Sequence, residues 1–287
     1  MIYRRRPSPL HAARAGAGAA YCLALACAAL LLSNPLTLGA VTVAVFAAGS
    51  LAGVGREMRR AALLAAPMAI VIALINALAT RDGLTVIVRL GHLPVLGDTD
   101  ITLEATTYGA VLGLRAAALI LAAALYTAAV DPDQVLRLFR RVSFHSALTA
   151  TLATRLVPVL ARDSRRLADA QRCRPGPPPS RWLLIRATTA GALDRALDVA
   201  AALEVRGYGA ARRPPRIRRA WSRHDLAFTT SALAILALAV VARYSGLAPF
   251  HAYPSLRMGA GPAAYGLAAA IVLVALLPFA DRRGGTR

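Results

Sequence analysis

Apolar residues in this chain gather into six long runs, at residues 15–32, 36–53, 61–79, 107–130, 226–242 and 262–280. Runs of this kind suit helices that cross ~30 Å of hydrocarbon at ~1.5 Å of rise per residue. Between the fourth and fifth runs the pattern changes. Residues 131–225 mix charges with amphipathic stripes and contain no run of comparable length. The pattern predicts an all-α integral membrane protein with about six transmembrane helices and long amphipathic helices outside the bilayer. Three parts follow: a four-span region at 1–130, a polar helical region at 131–225, and a two-span region at 226–287.

Two stretches need a decision. The first run resembles the apolar part of a signal peptide, but no small-residue cleavage site precedes the second run, so it is read as a span. Residues 147–161 are apolar but short, and they contain Arg155 and Pro158; they are read as a helix that does not cross. Between the third and fourth spans, Thr85-Val86-Ile87-Val88 is rich in β-branched residues, with Gly91, Pro94 and Gly97 following. That composition predicts a short hairpin. Arg115 lies within the fourth run. A charge at that depth is costly, so it must meet protein or water, or else snorkel to the external interface.

Charge orients the spans. The net charge is +20, and all 34 basic residues are Arg. Twenty-nine of them fall in the N-terminal arm, the 56–60 loop, residues 131–225 and the C-terminal tail; four fall in the loops on the other side. Basic loops stay cytoplasmic. The expected topology is therefore a multi-pass inner-membrane protein with both termini in the cytoplasm and residues 131–225 on the same side. This topology accounts for the charge, and no nucleic-acid recognition motif accompanies it. Nucleic acid is not an expected partner; the lipid bilayer is.

The cytoplasmic region divides into three helical stretches. Asp131-Pro132-Asp133 opens the first: Asp131 suits the N-cap, Pro132 the first helical position, and Asp133 the positive end of the dipole. The second runs from about residue 145 to 174, with Asp163–Arg166, Arg165–Asp169 and Asp169–Arg172 at helix-pair spacing. Pro175-Gly176-Pro177-Pro178-Pro179 stops it. The third covers about 182–206. Leu193, Leu197, Ala200 and Leu203 make an apolar stripe along it, and Gly207 is placed to end it. Both longer helices thus end in a pair, Cys173-Arg174 or Val205-Arg206, just before a helix breaker. A cation there is favoured by the helix dipole. The repetition also suits a second reading, in which each Arg reaches a carboxylate on a partner protein.

At these residues the chain resembles the T component of energy-coupling-factor (ECF) transporters, including the CbiQ type of cobalt systems. Ala202-Leu203-Glu204-Val205-Arg206-Gly207-Tyr208-Gly209 resembles that family's A-M-E-A-R-G-Y-G motif. Ala170-Gln171-Arg172-Cys173-Arg174 resembles A-Q-R-A-R, with Pro175 where Gly is usual and Gly176 one residue late. Asn34-Pro35, Ile101-Thr102-Leu103-Glu104, Asp131-Pro132-Asp133 and Arg155-Leu156-Val157-Pro158 are similar to further family patterns in the same order. The resemblance implies a non-catalytic scaffold whose coupling helices dock on two ABC-type ATPase subunits. It also implies a membrane face that holds a substrate-binding S component for uptake of a vitamin or transition-metal ion. The implied ATPase-coupling residues are Cys173, Arg174, Pro175, Gly176, Val205, Arg206 and Gly207, and the docking face is Leu193, Leu197, Ala200 and Leu203. No cofactor is expected on this chain, since the resemblance places ATP on the partner subunits.

Two other classes are weighed against this one. A membrane-embedded enzyme needs clustered carboxylates, a metal set or an activated nucleophile. Here the acidic residues are spread as caps and ion-pair partners, the five His are scattered, and Cys22, Cys27 and Cys173 have neither disulfide nor ligand spacing. A self-sufficient ABC permease would need a polar cavity within the membrane, for which the spans carry no signature.

Overall fold

The computed structural model describes residues 6–79, 85–93, 97–139, 144–173, 180–207, 220–251, 257–259 and 261–280. It divides into two compact units, one formed by Leu136–Ala220 and the other by Met1–Val135 with Trp221–Arg287.

The larger unit is a bundle of six apolar helices preceded by a short one, α1 (Pro9–Ala12). The six are α2 (Ala15–Leu31), α3 (Pro35–Leu51), α4 (Gly55–Ala79), α5 (Leu103–Ala129), and two later helices, Arg223–Ser245 and Pro262–Leu276. In chain order these last two are α9 and α10, because α6 (Pro132–Phe139), α7 (Phe144–Arg172) and α8 (Arg181–Val205) come between. All six sequence runs are thus helices. Four are long and apolar enough to cross a membrane, whereas α2 and α3 have 17 residues each, at the lower end of the spanning range. Asn34 shortens both. As N-cap of α3 its Oδ1 accepts from Leu36 N at 2.9 Å, and Pro35 at the first helical position cannot extend the preceding helix.

The predicted hairpin is present: β1 (Val86–Leu93) pairs antiparallel with β2 (Gly97–Thr102). A second small hairpin, Phe250–His251 with Arg257–Met258, was not signalled by any β-rich run. Asn34 Nδ2 donates to Gly259 O at 3.1 Å, tying the α2–α3 turn to the chain just past that hairpin.

Helices α2 and α3 lie at the centre of the bundle, with α5 against both, α9 against α2, and α10 against α3. Four of the ties between helices have one logic. Pro278 follows α10 in a 3-10 turn (Leu277–Phe279). Having no N–H, it leaves the carbonyl four residues back, Val274 O, without its helical donor. Ser231 Oγ of α9 donates to that oxygen at 2.7 Å. Tyr21 of α2 donates to the next carbonyl, Ala275 O, at 2.7 Å. Its ring stands edge-on to Phe228 and Phe279, with centroids 5.3 and 6.3 Å away. Arg115 completes the set from within α5. Its Nε donates to Ala29 O at 3.2 Å and its Nη2 to Leu32 O at 3.0 Å, so it closes the C-terminal end of α2. Of the alternatives for this intramembrane cation, the protein partner is the one realised.

Helix α4 approaches α5 through small residues. A Cβ on Gly113 would stand 2.5 Å from Ala69 O, and one on Gly109 would stand 2.7 Å from Ala73 O. This is a small-xxx-small contact, in which missing side chains let two backbones meet. Gly113→Leu should therefore force the helices apart and cost about 1–3 kcal/mol, the usual range for overpacking. Gly266→Leu, where a Cβ meets open space, should be nearly neutral. Thermal aggregation of the detergent-solubilised variants checks this; equal midpoints would show that the close approach is not required.

Candidate functional site

Within Leu136–Ala220 the chain folds as the two long helices α7 and α8, packed on one another. Ahead of them Asp131 caps α6: its Oδ1 accepts from Asp133 N at 2.9 Å, and its Oδ2 accepts from Gln134 Nε2 at 3.0 Å. Residues 147–161 and the Arg-rich stretch after them form one continuous helix, α7, which carries Pro158 internally and is not among the helices apolar enough to cross a membrane.

The ion pairs differ in part from those that helix spacing predicts. Asp169 and Arg172 do meet, at 3.4 Å, on an exposed face. Asp163 instead pairs with Arg195 of α8 at 2.8 Å, so it bridges two helices and is not an intrahelical partner of Arg166. Both residues lie on half-buried rows. On α7 that row includes Leu152, Leu156, Val159, Asp163 and Leu167; on α8 it is Leu184, Thr188, Ala192, Arg195, Val199 and Leu203. Spacings of three and four define one side of each helix.

This assignment divides the predicted apolar stripe. Leu203 belongs to the half-buried row with Arg195, whereas Leu193, Leu197 and Ala200 lie on exposed positions, the two leucines at 64 % and 62 %. Ser180 caps the start of α8, its Oγ accepting from Trp182 N at 3.2 Å. At the other end, Arg206 takes the C-cap position and its N–H donates to Ala202 O at 3.3 Å. Gly207 then adopts φ 74° and donates its N–H to Glu204 O at 2.8 Å. A left-handed residue here turns the chain away from the helix axis. Val205 is 91 % exposed and Arg206 is exposed beside it. The helix end is therefore a projecting tip bearing an apolar group and a guanidinium. Cys173 is exposed after α7; Arg174, Pro175 and Gly176 lie outside the described residues.

The matching family model is that of the cobalt transport protein family, CbiQ, and it covers residues 7–216. The chain belongs to the CbiQ family. The match takes in helices α1 to α8, so it joins the first four apolar helices to the exposed tip of α8 in one assignment. No match is found among curated proteins. Membership makes this CbiQ-family chain a transport component of a multi-pass membrane type, with cobalt transport as the family's named activity. Among the described residues, no group of three His, Cys, Asp or Glu could hold a metal ion.

Sequence reasoning missed one anchor of the region. Asp225, 2 % exposed, stands where the chain re-enters the larger unit. It forms a capping box with Ser222, accepting from Ser222 N at 2.9 Å while its own N–H donates to Ser222 Oγ at 3.1 Å. It also accepts from Arg14 N at 2.6 Å and pairs with Arg14 Nε at 3.2 Å. The Ser222-x-x-Asp225 spacing was the available signal.

The tip itself gives a direct prediction. A Cβ at Gly207 meets nothing within 4 Å, so Gly207→Ala carries only the cost of a left-handed non-glycine residue, about 1–2 kcal/mol. Amide exchange at 202–207 should speed up while the 184–195 stretch stays protected. Unchanged exchange at both would show that the turn does not fix the helix end.

Proposed function

We propose that this chain is the transmembrane scaffold, the T component, of an ECF-type ABC importer. In this reading α7 and α8 are coupling helices on the cytoplasmic side. They dock on two ABC-type ATPase subunits, while the apolar helices hold a separate substrate-binding S component in the inner membrane. Both termini are cytoplasmic, and the cargo is a transition-metal ion or vitamin chosen by the S component. The chain carries no reaction of its own; ATP is bound and hydrolysed by the partners.

The observation that carries the proposal is the exposed pair Val205-Arg206 at the end of α8, fixed by the left-handed Gly207. A helix end that only needs closing has no use for a valine 91 % exposed. An apolar group beside a guanidinium suits instead a pocket containing a carboxylate, where the ion pair is desolvated on docking. The outward Leu193 and Leu197 add apolar area on the same helix, of the kind a partner covers. Force then has a rigid path. Motion of the ATPase subunits acts on α8, and the Asp163–Arg195 bridge makes α7 follow. Family membership supports the transport role.

The test separates docking from capping. If Arg174 and Arg206 only satisfy terminal carbonyls, replacing both with Ala costs the helices about 0.3–1 kcal/mol each and leaves uptake nearly intact. If each pairs with an ATPase carboxylate, truncation costs on the order of 2–5 kcal/mol, mostly as faster dissociation. The expected result for the Arg174→Ala, Arg206→Ala variant is normal membrane insertion, loss of ATPase co-purification, and a sharp fall in cobalt uptake by the complete complex. Wild-type association and uptake would rule the coupling role out.

A further inference from the structure

Helix α4 stands apart in the bundle: it packs mainly on α5, and most of its surface is exposed. Its contact side, with Ala69 and Ala73, faces Gly109 and Gly113. At 100° per residue a neighbouring side, within an arc of about 100°, carries Arg56, Arg59 and Arg60, and then Leu63, Pro67, Ile70 and Leu74. Arg56, Arg59, Arg60 and all four of those later residues are exposed. Three cations therefore sit one turn ahead of an outward apolar strip on the same face.

The neighbouring charges leave those cations available. Glu57, between them in sequence, lies toward the flank of the helix and is held by Arg6 at 2.5 Å. Arg6 also donates to Gly53 O. Among the described residues no carboxylate forms a salt bridge with Arg56, Arg59 or Arg60; Glu57, whose own bridge is to Arg6, feels Arg60 only as a nearby charge. The lengths match a leaflet. From Arg60 to Ile70 is ten residues, about 15 Å of helix, which is half of a ~30 Å hydrocarbon core.

We propose that this face of α4 is a binding site for an anionic glycerophospholipid. Arg59 and Arg60, with Arg56 beside them, hold the headgroup phosphate, and an acyl chain lies along Leu63, Pro67 and Ile70. Lipid fits better than a protein helix as occupant. Helix contacts in membranes favour small residues, and α4 spends its alanines on α5 while presenting Leu, Pro and Ile outward. Guanidinium pairs with phosphate through parallel hydrogen bonds, and each basic residue near an anionic surface adds to retention. The site does not depend on the coupling role of α8.

The full chain with Trp182 and Trp221 replaced by Phe, and Ile70→Trp as reporter, is placed in nanodiscs containing brominated phosphatidylglycerol or brominated phosphatidylcholine as a minor component. The expected result is stronger quenching by the anionic lipid, with about a tenfold or greater preference in apparent affinity. That preference disappears in R56Q/R59Q/R60Q, persists with Lys at the three positions, and persists in the charge-matched exposed control R162Q/R165Q/R166Q. Circular dichroism and thermal aggregation confirm that each variant is folded. Equal quenching by both lipids in the parent overturns the proposal, as does a preference lost equally in the control. No quenching by either lipid means that protein covers the face, which also overturns it.

Discussion

A backbone carbonyl freed within hydrocarbon has no water to turn to, and the bundle is organised around that constraint. Pro278 releases Val274 O, and Ser231 takes it. The tight turn beyond α10 leaves Ala275 O to Tyr21. The end of α2 leaves Ala29 O and Leu32 O to Arg115. In each case the donor comes from a different helix, so closing a helix end also fixes a neighbour. Helices α2, α5, α9 and α10 are joined by these polar points, while apolar packing between lipid-solvated helices is driven only weakly.

The same accounting explains the way back into the membrane. Asp225 is a buried carboxylate that accepts from the backbone of Arg14 and of Ser222 and pairs with the Arg14 guanidinium. Breaking such a pair leaves an uncompensated buried charge, with a cost of about 3–5 kcal/mol. Trp221, whose ring lies 5.4 Å from the Arg14 guanidinium carbon, covers the pair. The starts of α2 and α9 are thereby tied together where the chain returns from α8.

The apolar runs made the six apolar helices legible, because runs of that length and purity leave few alternatives to a helix. Composition also revealed the β1–β2 hairpin, through its β-branched residues and following glycines, and the end of α8, through Gly207. What stayed hidden has a common cause. Ser231, Tyr21 and Arg115 bond to carbonyls of other helices, and a carbonyl has no residue-type signature to read. Asp163 had Arg166 at helix-pair spacing in the sequence, so only the packing of α7 on α8 could show that its partner is Arg195. Leu203 follows Ala200 at helical spacing and so groups with the stripe, yet ten residues on from Leu193 amount to about 80° of rotation, which places it on the half-buried row. Of the two paired helix ends, that at Val205-Arg206 is described, and that at Arg174 lies outside the described residues.

In the proposed role the tip of α8 enters a partner that binds nucleotide. A photoreactive benzoylphenylalanine in place of Val205, introduced into the complete complex in native membranes, tests it most directly. The side chain at this position is 91 % exposed, so the substitution leaves packing undisturbed. Irradiation should yield a covalent adduct with an ABC-type ATPase subunit, with a yield that changes when ATP is bound. The same probe at Trp182, at the opposite end of α8, serves as the reference. An adduct formed only with lipid or only with another copy of this chain, in membranes where the ATPase subunits are present, would contradict the claim.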